Sequence, residues 1–166
     1  MKRVLVAGIG NVFLTDDGFG VEASDALARR PLPSGVRVAD FGIRGVHLAY
    51  ELLDGCDVLV MLDAVDLRDA PGTLAVIEVD GDEEDATQAA LDAHTMSPQV
   101  VLATLRRLGG RIAQVYVIGC QPENLDEGMG LTPSVAGAVE RAADLCLELL
   151  ADIDQVNQLV GRGEGR

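Results

Sequence analysis

The side chains best placed for chemistry fall in a few short stretches. A glycine-rich turn, Gly8-Ile9-Gly10-Asn11, leaves one apolar run, and Thr15-Asp16-Asp17-Gly18-Phe19-Gly20 leads into a segment of helical period. Asp63 closes a later apolar run, with Asp66 three residues on. His94 precedes a helical segment that opens near Pro98, and Gln121-Pro122-Glu123-Asn124 follows the last apolar run. Two carboxylates and one imidazole make a three-ligand site with open coordination positions. Mixed oxygen and nitrogen donors suit zinc, nickel, manganese or iron rather than thiophilic ions. Open positions belong to a catalytic or recognition site, whereas a structural site closes its shell. Taken singly, each residue has a plainer use. Asp16 or Asp17 at a helix start caps free backbone N–H groups, an Asp ending a strand orders the next turn, and His47 reads as a satisfied or solvated side chain.

These residues need a scaffold, and the hydrophobic pattern supplies one. Residues 4–9, 36–41, 57–63, 73–79 and 112–119 read as strands, and residues 18–30, 46–53 and 98–108 as helices. Near-continuous apolar strands alternating with helices signal a sheet covered on both faces, hence a mainly parallel α/β fold. Only about nine residues, with Pro71-Gly72 among them, separate the third and fourth strands. A parallel crossover needs a dozen or more, so the fourth strand is expected to run antiparallel or at an edge. Ser97 reads as a helix N-cap and Gly109-Gly110 as a stop. Thr132-Pro133 reads as an N-cap followed by Pro at the first helical position, with that helix running to about Val160. Residues 80–85 read as an acidic, solvated loop. One domain over residues 1–160 and a frayed tail over 161–166 are expected. In such sheets ligands bind beyond the carboxyl ends of the strands, where the acids and His94 collect.

Composition narrows the function classes. The chain has 166 residues, 48% of them hydrophobic and only 3% aromatic, so its core is built from Val, Leu, Ile and Ala. A net charge of −14 repels phosphate backbones and anionic membranes, so neither nucleic acid nor membrane is an expected partner. The same charge favours a solvated monomer. Cys56, Cys120 and Cys146 are too few and scattered for a disulfide framework or a CxxC metal site, and read as reduced cytoplasmic thiols. The apolar run after Met1-Lys2-Arg3 is short and has no small-residue cleavage site behind it. A cytoplasmic location is the expectation.

One known pattern fits poorly and a second fails. A dinucleotide fingerprint needs a third glycine where Phe13 stands and a helix directly after the turn; Asp40 lies only roughly where its ribose-binding acid would be. A phosphoacceptor receiver needs a Lys after the last strand, and the only Lys is Lys2. Nor is there a Gly-x-Ser-x-Gly or a His-Glu-x-x-His.

Five motifs in order resemble one family. Residues 4–11 followed by Asp16-Asp17-Gly18-Phe19-Gly20 are similar to the N-terminal signature of the nickel–iron hydrogenase maturation proteases. Residues 57–64 resemble that family's strand ending in Asp-Ala, and Ala70-Pro71-Gly72-Thr73 its Pro-Gly-Thr turn. Gly119-Cys120-Gln121-Pro122-Glu123 and Gly130-Leu131-Thr132-Pro133-Ser134-Val135 resemble its two C-terminal signatures. The resemblance implies a phosphorylase/hydrolase-like, three-layer α/β/α fold with a twisted, mainly parallel sheet of about five strands. It implies an endopeptidase that removes the C-terminal peptide of a hydrogenase large-subunit precursor after nickel insertion. It assigns the metal contacts, and with them the catalytic site, to Asp17, Asp63 and His94, with Asp16 the alternative first ligand. Asp40 is assigned a part in positioning or cleaving the peptide. The expected cofactor is nickel carried by the precursor, with zinc or cadmium able to occupy the site in vitro. The competing class is a non-catalytic metal- or nucleotide-binding α/β module.

Overall fold

In a computed structural model, which describes residues 2–79 and 97–163, the apolar runs become five strands of one sheet. They are β1 (Val4–Ile9), β2 (Val36–Gly42), β3 (Val58–Ala64), β4 (Leu74–Val79) and β5 (Gln114–Cys120), in the order β2-β1-β3-β5-β4. The helices are α1 (Phe19–Ala28), α2 (Gly45–Leu53), α3 (Pro98–Arg107), α4 (Pro133–Ala136) and α5 (Val139–Gly163). All of β1 and all but the last residue of β3 are buried, which is why both read as unbroken apolar runs. Alternate residues face opposite layers. Val4, Val6, Val58, Val60 and Leu62 pack with α1, α4 and α5. Leu5, Ala7, Ile9, Leu59 and Met61 pack with α2 and α3. The expected three-layer α/β/α architecture is therefore the observed one.

Four strands are parallel, and β4 pairs antiparallel with β5 at the edge of the sheet. The short β3–β4 connection leaves β4 no length in which to cross back. From β1 the chain passes through α1 to β2; from β2 it returns through α2, on the other face, to β3 on the far side of β1. That reversal opens a crevice beyond the carboxyl ends of β1 and β3.

Helix boundaries differ from expectation in three places. A single 3₁₀ turn, Thr15–Gly18, precedes α1. The last helix is divided into α4 and α5, and α5 runs to Gly163, so the first three residues of the expected tail are helical. Thr132 stands at the N-cap of α4 with Pro133 behind it, but its side chain does not cap the helix. Ser97 does cap α3, its Oγ accepting the Val100 N–H at 3.3 Å. Residues 80–85 and His94 lie outside the described residues.

The start of α1 is pressed against the sheet at Gly20. A Cβ there would stand 2.0 Å from the Leu62 carbonyl oxygen and 2.2 Å from that of Ile9. Both obstacles are strand backbone and cannot swing aside. Gly20→Ala is therefore expected to destabilise the chain by about 3 kcal/mol or more, measured by urea denaturation.

Candidate functional site

The β1–α1 connection shapes the crevice. Gly10 has φ +137°, and a Cβ there would stand 1.8 Å from the Asp17 carbonyl oxygen. Only glycine lets the chain fold back so tightly. The turn delivers the Asn11 N–H to Asp17 Oδ2 at 2.8 Å, and Asn11 Oδ1 accepts the Phe13 N–H at 2.9 Å. Thr15 adopts φ +52°, a left-handed conformation that costs a β-branched residue energy. It is held there by its N–H to the Gly128 carbonyl at 2.9 Å and by its hydroxyl to that of Asp126 at 2.6 Å. Backbone strain of this kind clusters at functional sites.

The two neighbouring acids then diverge. Asp16 is fully buried, and its carboxylate is consumed by the segment after β5. Oδ2 accepts the N–H groups of Glu123 at 2.9 Å and Asn124 at 3.0 Å, and Oδ1 accepts that of Thr132 at 2.8 Å. The Thr132 hydroxyl donates to the same carboxylate. Burial alone would raise the pKa of Asp16, but these donors outweigh it and hold the group below its ordinary value. Neither acid caps the 3₁₀ turn or α1 through its side chain. The plain helix-cap reading fails for both, and Asp16 has no coordination to spare as an alternative ligand.

Asp17 is half-buried, with Oδ1 in no hydrogen bond among the described residues. Asp63, 8% exposed, lies at the carboxyl end of β3. Its pKa is pushed well up, first by burial and then by the negative charge of Asp17, against a smaller lowering by the Ala64 N–H. Two carboxyl groups share the crevice, and Asp63 resists ionising beside its neighbour. A cation between them would relieve both the repulsion and the desolvation, so oxygen donors of this kind fit a divalent ion. Among the described residues no three His, Cys, Asp or Glu side chains form a metal-binding group.

Asp40 sits at the end of β2, exposed, opposite Gly8 in register. Its Oδ1 accepts the Gly42 N–H at 2.8 Å, so part of its carboxylate orders its own turn. It lines a groove of about 330 Å³ with Gly10, Asn11, Phe13, Ile43 and Arg44, among others. Asp66 is likewise turned to the Arg68 N–H at 3.0 Å. Hollows of about 470 and 540 Å³ open at the other end of the strands, around Cys56, Arg111 and Arg3, away from the paired carboxylates. The structure thus places Asp17 and Asp63 together and Asp40 beside them. Asn11 and Thr132 are the positioning residues that sequence reasoning missed. Thr132 looked like a helix cap, and nothing local shows that its hydroxyl serves an acid 116 positions earlier.

A family profile described as hydrogenase maturation protease (HycI) matches residues 21–149. The hydrogenase expression/formation protein HupD of Rhodobacter capsulatus is 37% identical over 153 residues, covering 90% of this chain and 72% of its own length. The hydrogenase 2 maturation protease of Escherichia coli is 35% identical over 157 residues, covering 90% of this chain and 92% of its own. Among solved structures, the E. coli hydrogenase maturating endopeptidase HybD superposes with a TM-score of 0.72 at 34% identity, covering 90% of this chain and 93% of the other. On a profile match spanning most of the sheet, and on relatives that share both its sequence and its fold, the chain belongs to the hydrogenase maturation protease family of endopeptidases.

Proposed function

We propose that this peptidase removes a C-terminal peptide from the large-subunit precursor of a nickel–iron hydrogenase, and that it recognises nickel already inserted in that precursor. The observation that carries the reading is the buried Asp63 beside Asp17 at the β1/β3 crevice, a carboxylate pair whose repulsion a cation would relieve. Asp17, oriented by the Asn11 N–H, and Asp63 supply oxygen donors, and His94 supplies the nitrogen donor. The ion belongs to the substrate, so the resting enzyme binds it weakly. Held there, it would polarise the scissile carbonyl or a water. Asp40, at the groove beside Asn11, orients the peptide or takes the proton of the attacking water.

Intact mass of a cognate precursor, incubated with the enzyme with and without nickel loaded, tests this. Loss of a C-terminal peptide from the nickel-loaded form alone is expected. Cleavage of both forms would keep the peptidase and remove nickel as its gate.

A further inference from the structure

We propose that Phe13, Ile43, Val46 and Tyr50 form the docking surface for the folded body of the precursor protein, an inference that rests on the peptidase reading above. These side chains are 62%, 66%, 60% and 53% exposed. Val46 and Tyr50, at i and i+4, give α2 a short outer apolar stripe on the side away from its buried Leu48, Ala49 and Leu52. A helix packed on only one side has no folding reason for that outer stripe. Ile43 stands one turn before Val46 and shares with Phe13 the groove lined by Gly10, Asn11 and Asp40. The apolar surface is therefore continuous from the Asp17 turn to the outer face of α2.

Charge points the same way. On a chain of net charge −14, the single acid of α2, Glu51, is neutralised by Arg37 at 2.6 Å. Arg44 is turned to the carbonyl oxygens of Phe41 and Asp40. What remains on α2 itself is an apolar outer face, bordered at the groove by Asp40 and Arg44, and exposed apolar patches of this kind mark interaction sites on monomeric proteins. The occupant follows from the groove. A peptide threaded past Gly10 and Asn11 toward Asp17 brings the rest of its own protein against the surface next to it, which is α2. A second copy of this chain seated there would obstruct that entry.

The test compares wild type, Ile43→Glu and Val46→Glu/Tyr50→Glu with Val156→Glu, an exposed position on the opposite layer, using folded, nickel-loaded precursor as substrate. KM is expected to rise about tenfold or more in the first two variants with kcat unchanged, the signature of lost uniform binding. Val156→Glu should match wild type. If the glutamates lower the melting temperature, Ile43→Ser and Val46→Ser/Tyr50→Ser serve in their place. Unchanged KM in folded variants, with wild type active, overturns the docking surface and leaves the peptidase reading intact. An inactive wild type overturns the peptidase reading and this inference with it. A wild-type dimer in sedimentation velocity that these variants convert to monomer assigns the face to a second copy and overturns the proposal.

Discussion

Replacing Asp63 by Asn is expected to make the protein more stable and its processing activity at least about 10²-fold lower. The two effects share one cause. The Asp63 carboxyl is buried beside the charge of Asp17, so its pKa in the folded chain lies well above the ordinary 3.8. Between that value and the folded pKa the native state binds more protons than the unfolded one, so this group makes stability fall as pH rises. Below about pH 3.8 both states are protonated and the penalty disappears. The stability gap between Asp63→Asn and wild type should therefore open as pH rises from about 4, and be largest above the folded pKa. Differential scanning calorimetry across this range reads it, with about 2–4 °C of melting temperature per kcal/mol in a chain of this size. Asp17→Asn should act in the same direction by removing the charge that repels Asp63. Equal melting temperatures for Asp63→Asn and wild type at neutral pH would remove the carboxylate pair as a strained, cation-seeking device. Added nickel should raise the melting temperature of the wild type and leave both variants unmoved.

Asp16→Asn, one residue from the first ligand candidate, is expected to have the opposite effect on stability. The Asp16 carboxylate accepts three backbone N–H groups and the Thr132 hydroxyl inside the protein. An amide cannot accept at both ends, and its NH₂ would face donors. We expect a loss of about 3 kcal/mol or more, or about 6–12 °C of melting temperature. The pH dependence is inverted as well. A pKa held below 3.8 means that stability from Asp16 is present above that pH and is lost as pH falls through the folded pKa. The difference between Asp16→Asn and wild type should therefore shrink in acid, where that for Asp63→Asn also vanishes. Thr132→Val should cost less than Asp16→Asn, and the double variant less than the sum, because both remove the same contact. Additive losses would show that Asp16 and Thr132 do not act as one clamp.

These opposed expectations for neighbouring acids show how the sequence and the fold divide the work. Hydrophobic period is a local property, and it determined much of the architecture. Fully apolar runs at residues 4–9 and 58–62 marked strands buried on both faces. The nine-residue gap containing Pro71-Gly72 marked β4 as antiparallel and at the edge, because chain length alone forbids a crossover there. Asp63 near the end of β3 and Asp17 in the connection that follows β1 could be assigned to one side of the sheet, since parallel strands bring their carboxyl ends together.

The sequence offered no means of telling Asp16 from Asp17, two identical side chains on one turn. Which of them is spent on structure depends on the left-handed twist at Thr15 and on donors more than a hundred residues away, at Glu123, Asn124 and Thr132. The diversion of the Thr132 hydroxyl from its cap follows from the same contact. Such long-range hydrogen bonds leave no periodic trace along the chain. They form only once β1 and β5 stand in one sheet, and it is the tertiary structure that sends one carboxylate inward and leaves its neighbour facing the crevice.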